Sequence, residues 1–391
     1  MMNPAPILRR FRFALLFAVL PLASLPAARP AADATTRVLY HDPAVYSAWP
    51  AIARAANGDL LVTFIRTEQH MSPDGAVTLL RSRDNGATWS DPVDIVDTPI
   101  DDRECGLTVT ADGNLLLHVR AVHWQPAAYE ALGPEAYPRP TLERWIREIS
   151  TPDYLSAAPL AGTRLYRSTD NGHTWQALPP LPSSVDSIHG GITLEDGRLL
   201  VASYRDNPDQ IAIYAAKDPA KPWQHLTTVP SPAPGLRFGE PHVAQLPGGR
   251  IVVMTRATAR AYDDTRPDLF LWQTWSDDGG ESWSHPVPTP MLGFPPHLTV
   301  LHDGRLLCTY GRRREPYGQR AMLSVDGITW NPAAEIVLRD DAPNHDLGYP
   351  VSLEIEPGRI LTVYYQKPAF DSADKHRHTT AIYATTWSLP Q

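Results

Sequence analysis

The chain has 391 residues and a formal net charge of −8, and its basic residues are scattered apart from one run at 312–314. This charge pattern excludes the basic surface expected of a nucleic-acid-binding protein. With 40 prolines, 24 glycines, 11 tryptophans and 15 tyrosines, the composition favours an all-β chain with many tight turns.

The first predicted element is an export signal. Three arginines within residues 9–12 precede an apolar stretch at 13–25, and small residues follow it. This order is typical of a secretory signal peptide, and the apolar stretch is too short for a comfortable membrane span. We therefore predict a signal peptide at 1–34. The mature protein, 35–391, is expected to be periplasmic or secreted, without membrane association after signal removal.

Six aliphatic segments follow, each opened by a glycine, at intervals of roughly 50–55 residues with one longer interval. The glycines are Gly58, Gly113, Gly197, Gly249, Gly304 and Gly358. A second motif, Ser-x-Asp-x-Gly-x-Thr/Ser-Trp, interleaves with them. It occurs at 82–89, 168–175 and 276–283, and one residue shorter at 324–330. A period near 50 with short strands and turn signals predicts an all-β fold, a six-bladed β-propeller with four strands in each blade.

Other segments fit this plan. The strand at 36–40 and the segment 381–387 have no repeat of their own, so we expect them to pair and close the ring. The longer interval contains 121–164, whose helical spacing predicts a partly helical loop insertion over one face. The Asp of each interleaved motif is expected to hold a turn and not to catalyse. Cys105 and Cys308 fall in opposite blades, which predicts two buried free thiols.

Polar and aromatic residues recur seven to nine positions before the glycines, where the innermost strands should begin. They are Trp49, Glu104, His189, Glu240 with His242, His297 and Tyr349. A second, largely basic group ends the second strands and includes Arg66, Arg120, Arg256 and Arg312. Because neighbouring strands are antiparallel, both groups are expected at one end of the central channel, where a pocket can form. The three histidines could bind sugar hydroxyls, act as a base or hold a metal.

The repeated Asp motifs, together with Glu240 and Tyr349, resemble the sialidase (neuraminidase) superfamily of Asp-box six-bladed β-propellers over about residues 36–389. The resemblance implies a nucleophile, Tyr349, and a base, Glu240, that removes its proton. It also implies an acid/base aspartate in the loop after the second strand of the first blade, for which Asp74 is the candidate. A neutral tyrosine can approach an anomeric carbon that bears a carboxylate, whereas a charged nucleophile would be repelled.

The resemblance further implies three arginines that bind the substrate carboxylate. Arg256 matches the second, and Arg320 and Arg312 are the candidates for the third. The first stands in a Phe-Arg-Ile-Pro motif, but that segment is Ser47-Ala-Trp-Pro50 here. The candidates to replace it are Arg66 and Arg103. The predicted substrate-binding set also contains Glu104, His189, His242 and His297.

We therefore expect a secreted glycoside hydrolase of the exo-α-sialidase type, which removes a terminal acidic sugar from a glycan or oligosaccharide with retention. It is expected to act as a monomer, with no cofactor and no metal. A uronate-specific polysaccharide lyase and a non-catalytic glycan-binding propeller stay open as alternatives. In the lyase, a histidine or tyrosine would abstract the proton at C5 of a uronate while arginines neutralise its carboxylate.

Overall fold

The computed structural model describes residues 29–132, 136–182, 185, 189–204, 209–259, 270–368 and 379–390. Most of the predicted signal peptide lies outside this set. The described chain begins with β1 (Arg29–Pro30) and β2 (Ala32–Tyr40). Strand β2 therefore starts within the segment 1–34, and a chain cut after residue 34 would lose the start of this strand.

Six blades follow in chain order within the described residues. The first contains β3 (Tyr46–Arg54), β4 (Leu60–Thr67), β5 (Gly75–Ser82) and β6 (Val93–Asp97). The second contains β7 (Asp101–Val109), β8 (Leu115–Val122), β9 (Gly162–Ser168) and β10 (Gln176–Ala177). The third contains β11 (Ile192–Thr193), β12 (Leu199–Ser203), β13 (Gln210–Ala216) and β14 (Gln224–Pro230).

The fourth blade contains β15 (Leu236–Gln245), β16 (Ile251–Ala259), β17 (Trp272–Ser276) and β18 (Val287–Pro288). The fifth contains β19 (Pro296–Val300), β20 (Leu306–Arg312), β21 (Gly318–Ser324) and β22 (Ile336–Arg339). A 3₁₀ turn, Pro332–Ala334, precedes β22. The sixth contains β23 (Leu347–Glu356), β24 (Arg359–Gln366) and β25 (Ala381–Ser388).

The N-terminal strand closes the ring. Strand β2 pairs antiparallel with β25 and supplies the outer strand of the sixth blade, as predicted. The innermost strands contact neighbouring blades around the axis, and β23 contacts β3. The short strand β1 adds to the fifth blade by pairing parallel with β22. The predicted six-bladed propeller is confirmed.

The repeat glycines make the first hairpin of each blade. At the first, Gly58 has φ +93°, a conformation that costs glycine little and other residues more. Its N–H donates to the Ala55 carbonyl at 2.9 Å, and the Ala55 N–H donates to the Asp59 carbonyl at 2.9 Å. The other five repeat glycines also have positive φ. The periodic glycines therefore mark tight turns between the first two strands.

The interleaved Asp motifs are turns as well. Asp84 accepts from the Thr88 N–H at 2.7 Å and from the Ser82 hydroxyl at 2.9 Å. Ser82 in turn accepts from the Gly86 N–H at 2.8 Å. The hydrogen bonds from Thr88 and Ser82 lower the pKa of Asp84 to about 2. Because its oxygens already hold the turn, Asp84 has a structural role.

The insertion in the second blade has its own core. It contains α1 (Pro126–Glu130), α2 (Arg139–Glu148), α3 (Pro152–Ser156) and a 3₁₀ turn, Ala158–Leu160. Tyr129, Trp145 and Tyr154 are buried together and pack against Ile100 and Ala121 of the propeller. The predicted partly helical insertion is therefore a small module fixed to the first two blades.

Both cysteines are buried free thiols, as predicted. Burial raises the pKa of Cys105 to about 12 and also raises that of Cys308, so neither is a thiolate at neutral pH. Within the residues that the structure describes, no helix has the length and apolar character needed to cross a bilayer.

Candidate active site

A tyrosine and a glutamate are in contact at one end of the central channel. The Tyr349 hydroxyl donates a 2.6 Å hydrogen bond to Oε1 of Glu240. Tyr349 belongs to β23 and Glu240 to β15, so the sixth and fourth blades supply the pair. Both stand where the register against the neighbouring strand shifts. The structure thus brings together the predicted nucleophile and the predicted base.

The backbone at these bulges is left-handed. The φ angle is +49° at Tyr349, +51° at Glu240 and +52° at Trp49 of β3. Such angles cost a non-glycine residue about 1–3 kcal/mol, which the surrounding sheet must offset. A bulge bends a strand and changes the direction of its side chain. Here the bulges direct the side chains toward one another, and the Trp49 and Tyr349 rings are 6.3 Å apart.

The electrostatics of the pair suit base-assisted nucleophilic attack. Burial and the carboxylates of Glu240 and Glu104 raise the pKa of Tyr349 well above its usual range. Burial alone would raise the pKa of Glu240, but Arg256 and the Tyr349 hydroxyl bring it below its ordinary value. The resting pair is therefore a neutral phenol and an ionised carboxylate. A phenol in that state can act as a nucleophile only if its proton passes to a neighbouring base.

Two arginines approach the pair across one aromatic ring. Nη1 of Arg256 donates to both carboxylate oxygens of Glu240, at 3.1 and 3.2 Å. The guanidinium carbons of Arg256 and Arg313 lie 4.0 and 5.2 Å from the centre of the Phe294 ring. Arg313 also lies 5.8 Å from the centre of the Tyr349 ring. Tyr349, Glu240, Arg256, Arg313 and Phe294 are called the axial site below.

Arg313 is the principal site residue that the sequence analysis missed. Strand β20 ends at Arg312, and the next residue bonds the sixth blade, where the Nε of Arg313 donates to the Leu347 carbonyl at 3.0 Å. Burial disfavours the charged guanidinium, but the Tyr365 hydroxyl, Tyr349 and Glu240 leave the pKa of Arg313 above its ordinary value. The basic run at 312–314 indicates an arginine at this position, but it does not show which of the three arginines points toward the axial site.

The two arginines predicted from the fifth blade lie elsewhere. Nη2 of Arg312 donates to the Glu315 carbonyl at 3.4 Å, within its own hairpin. Arg320 is a buried residue of β21, where it bonds the Arg339 carbonyl of β22 and lies 3.8 Å from the Glu335 carboxylate. Successive residues of a strand face opposite sides of the sheet. A position near the predicted strand end therefore does not by itself bring a side chain into the axial site. The fifth-blade arginine at the axial site is therefore Arg313, and not Arg312 or Arg320.

Two predicted residues of the first blade are also outside the axial site. Arg66 forms an ion pair with Asp94 of the outer strand β6. Asp74 faces other acids, and burial together with Asp97 and Glu148 raises its pKa. No contact among the described residues joins Arg66 or Asp74 to the axial site. The sequence shows the position of Asp74 in the loop but not the direction of its side chain, because the loop geometry sets that direction.

Glu104 and Arg103 lie at the edge of the axial site. Glu104 pairs with Arg120 at 2.9 Å, directly across the β7–β8 ladder, and its charge contributes to the raised pKa of Tyr349. The guanidinium carbon of Arg103 lies 4.5 Å from the centre of the Trp49 ring. Trp49 stands where the sialidase superfamily has its first arginine, so a guanidinium from the second blade stacks on that position.

The three predicted histidines form one cluster beside Tyr349. The His242 and His297 rings stack at 4.3 Å, and His189 lies 5.3 Å from His242 and 6.0 Å from Tyr349. Burial lowers the pKa of all three histidines, that of His242 to about 3. They are neutral at physiological pH and add no positive charge to the site.

Backbone hydrogen bonds limit what this cluster can bind. Nδ1 of His242 accepts from the Leu298 N–H at 2.9 Å, and Nδ1 of His297 accepts from the Ser352 N–H at 3.3 Å. The proton of each ring is therefore on Nε2, which can donate to a hydroxyl. In the described part of the chain, no group of three or more His, Cys, Asp or Glu side chains has the arrangement of a metal site.

Two buried acids begin β7 next to Arg103. Oδ2 of Asp101 accepts from Trp124 Nε1 at 2.9 Å, and Oδ2 of Asp102 accepts from the Thr98 N–H at 2.7 Å. Burial raises the pKa of Asp101 to about 6 and that of Asp102 to about 7. The folded state therefore holds these protons more tightly than the unfolded chain does.

Replacing Asp102 with asparagine should stabilise the protein at high pH and not at low pH. The folded pKa exceeds the ordinary value of 3.8. The free energy of unfolding of the wild type is therefore expected to decrease as pH rises from about 4 to about 7. Asparagine keeps the bond from Thr98 without a buried charge, so the gain above pH 7 should reach up to about 4 kcal/mol. Denaturant unfolding at pH 4 and pH 8 measures it; an equal effect at both values would contradict the assignment.

Comparison with known proteins decides the family. A model of the BNR repeat-like domain matches residues 152–366, more than half of the chain. The chain belongs to this family. A xyloglucanase of Paenibacillus sp. is 29% identical over 174 residues, which cover 39% of this chain and 16% of the xyloglucanase. The BNR chain thus spans about a sixth of that relative's length.

Solved structures show the same architecture. A protein of unknown function from Dyadobacter fermentans DSM 18053 has a TM-score of 0.70 at 23% identity, over 91% of this chain and 98% of its own. The intramolecular trans-sialidase of Ruminococcus gnavus has a TM-score of 0.63 at 13% identity, over 90% and 96%. An α-L-arabinofuranosidase of Fusarium graminearum has a TM-score of 0.56 at 15% identity, over 93% and 98%. These likenesses confirm the fold shared with sialidases, and the distant relatives include glycoside hydrolases.

Proposed function

We propose that this BNR propeller is an exported, retaining glycoside hydrolase that removes a terminal acidic sugar from a glycan, with exo-α-sialidase-type specificity. One observation carries the proposal: the 2.6 Å hydrogen bond from the Tyr349 hydroxyl to Glu240 at the end of the channel. A neutral phenol beside an ionised carboxylate is what a tyrosine nucleophile requires. The glycoside hydrolases among the distant relatives support the reaction class and not the specificity.

The reaction would proceed by two displacements. In the first, the Tyr349 oxygen forms a bond to the anomeric carbon, Glu240 takes the phenolic proton, and the glycosidic bond breaks as a general acid gives its proton to the leaving oxygen. In the second, the conjugate base of that acid takes a proton from water, the water oxygen displaces the tyrosine oxygen, and Glu240 returns the proton to Tyr349. Two inversions at one carbon give net retention. Arg256 holds the Glu240 carboxylate at 3.1 Å and so keeps the base ionised before the first step.

The charges of the axial site favour a substrate that carries a carboxylate. Arg256 and Arg313 both stack on Phe294 beside Tyr349, and Arg103 stacks on Trp49 nearby. A planar guanidinium can bind a carboxylate through two parallel hydrogen bonds, and such contacts are strong where water is excluded. The buried, neutral side chains of His242 and His297 would donate hydrogen bonds to sugar hydroxyls from Nε2.

The proposal is tested with purified protein and 4-methylumbelliferyl glycosides of acidic sugars, a sialoside beside a glucuronide. Release of the fluorophore from one of them is the expected result. NMR of the first sugar released should show the α-anomer from an α-glycoside. An inverted product, or no release from either glycoside, would contradict the proposal.

One observation favours the lyase as a second candidate. His189 is neutral and lies 6.0 Å from Tyr349, and among the described residues its buried Nε2 has no hydrogen-bond partner. A neutral histidine is the protonation state that can abstract a proton next to a carboxylate. Uronate polymers, followed by the ultraviolet absorbance of the unsaturated product, distinguish the two reactions.

Replacing Arg256 with lysine should reduce activity more on acidic than on neutral substrates. Lysine keeps a positive charge beside Glu240 but lacks the planar fork. We expect kcat/KM to fall about 10- to 100-fold on an acidic glycoside, and by less than about threefold on a matched glycoside without the carboxylate. Steady-state kinetics on both substrates provide the measurement. Equal losses would mean that Arg256 serves only Glu240, and the acidic-sugar assignment would lose its main support.

Export is part of the proposal. Its support is the basic, apolar and small-residue order of residues 1–34, whose last residues overlap the start of the propeller. A glycan-degrading enzyme that acts on external polymers needs such a signal. Mass spectrometry of the protein isolated from the export compartment should show a chain shortened at its N-terminus.

A further inference from the structure

The loop between β4 and β5 places a histidine near the axial site. Nδ1 of His70 lies 2.7 Å from the Tyr46 hydroxyl, and that hydroxyl donates to Oδ1 of Asp346 at 2.9 Å. The His70 ring meets the edge of Trp49 at 5.2 Å, and Trp49 lies 6.3 Å from Tyr349. A single indole therefore contacts both His70 and the proposed nucleophile.

The hydrogen bonds determine which nitrogen of His70 carries the proton. A phenol has one proton, and Tyr46 donates it to Asp346. Burial and the Asp346 carboxylate raise the pKa of Tyr46 well above its usual range, so the phenol keeps that proton. The Tyr46 oxygen can then only accept from His70, which places a proton on Nδ1. Nε2 is therefore the nitrogen that gains and loses a proton.

Groups from four other segments surround His70. Tyr46 of β3 connects it to Asp346, which also accepts from the Tyr365 hydroxyl at 3.3 Å. Nη1 of Arg103, from β7, donates to the His70 carbonyl at 2.5 Å. Tyr137 of the insertion bonds the backbone of Met71, the next residue. The Asp346 carboxylate therefore lies beyond the Tyr46 hydroxyl, and Arg103 brings a guanidinium to the backbone of the same loop.

We propose that His70 is the general acid and base of the axial site, in the role that the superfamily gives to an aspartate; this rests on the proposed function. Tyr46 and Asp346 are positioning residues that orient the imidazole and stabilise its cation, as a carboxylate does for a catalytic histidine. Asp74 belongs to the same loop, but its charged neighbours are Asp97 and Glu148.

The protons and bonds balance over the two steps. In the first, the His70 imidazolium gives the Nε2 proton to the leaving oxygen as the Tyr349 oxygen bonds to the anomeric carbon and Glu240 takes the phenolic proton. In the second, neutral Nε2 takes a proton from the attacking water. The water oxygen displaces Tyr349, which regains its proton from Glu240, and the enzyme returns to its starting state.

Substrates with different leaving groups test the proposal. A 4-methylumbelliferyl sialoside needs little protonation of its leaving oxygen, whereas sialyllactose needs it. For His70→Gln we expect kcat/KM on sialyllactose to fall about 100-fold or more, and on the aryl sialoside by less than about tenfold. The basic limb of the wild-type pH profile, which reports the acid, should disappear. Tyr46→Phe should keep that limb but move it to lower pH.

Outcomes are distinguishable. Three results would overturn the role of His70: equal losses on both substrates, no loss on either, or the same leaving-group pattern in Asp74→Asn instead. In each case wild-type turnover would still support the proposed function. Absence of wild-type turnover on both sialosides would remove the proposed function and this role together. Nitrogen-15 NMR of the wild type is a further test that needs no variant. It should show His70 protonated at Nδ1 when neutral, and protonation at Nε2 instead would overturn the proposal.

Discussion

Replacing Tyr349 with phenylalanine should abolish turnover and leave the fold intact. The change removes one hydroxyl, which donates to Glu240 at 2.6 Å. Loss of a nucleophile that works as a unit with its base typically costs several orders of magnitude, so we expect kcat to fall by at least about 10³-fold. Activity on an aryl glycoside, measured together with thermal unfolding, provides the test.

Thermal unfolding should change little in Tyr349→Phe, because Glu240 keeps its ion pair with Arg256 at 3.1 Å. The aromatic ring and its contact with Trp49 also remain. A matched control is Tyr364→Phe: its hydroxyl bonds Thr385, away from the axial site, so turnover should be normal. Normal rates in Tyr349→Phe would exclude the tyrosine mechanism and direct attention to the histidines.

Replacing Gly106 with alanine should destabilise the propeller strongly. A Cβ at this position would lie 2.1 Å from the Gly190 nitrogen and 2.2 Å from the His189 carbonyl carbon. These are backbone atoms, so the second and third blades would have to move apart. Overpacking typically costs 1–3 kcal/mol and sometimes more; because backbone must shift, we expect about 3 kcal/mol or more. For a domain of this size the melting temperature should decrease by about 4 °C or more.

Gly239→Ala is the matched control for stability. It is also a strand glycine near the axis, but an added Cβ would meet only a Tyr204 ring carbon at 3.9 Å, an ordinary contact. Unfolding of this variant should resemble that of the wild type. Because Gly106 contacts the backbone of His189, Gly106→Ala should also disturb the histidine cluster. Similar unfolding of both variants would show that the blades can separate here at little cost.

Trp49 occupies the position at which the sialidase superfamily has its first carboxylate-binding arginine. The Trp49 ring contacts Arg103, His70 and Tyr349. An aromatic ring stands in place of a charged group, and the guanidinium of Arg103, from the second blade, stacks on this ring. The expected consequence is a carboxylate contact shifted from the first blade toward Arg256 and Arg313. The Arg256→Lys comparison addresses this consequence directly.

Local patterns were enough to predict the fold. Six glycines with positive φ, four Asp motifs and aliphatic runs are short-range features, and each specifies a turn or a strand without help from distant residues. The number of these repeats gives the number of blades. The pairing of β2 with β25 followed from the need to close the ring. Tyr349 and Glu240 were predicted from the superfamily resemblance, because the motif positions coincide.

The direction of side chains at the channel was decided by the tertiary structure. Arg313 reaches the axial site, whereas Arg312 and Arg320 do not, because the end of β20 and the face of β21 set where each guanidinium points. His70 and Asp74 share one loop, and only packing against the first, second and sixth blades separates their surroundings. A one-residue step reverses the face of a strand, and bulges such as that at Tyr349 add a further shift. Sequence spacing therefore determined which strands carry the site, and contacts between blades determined which residues enter it.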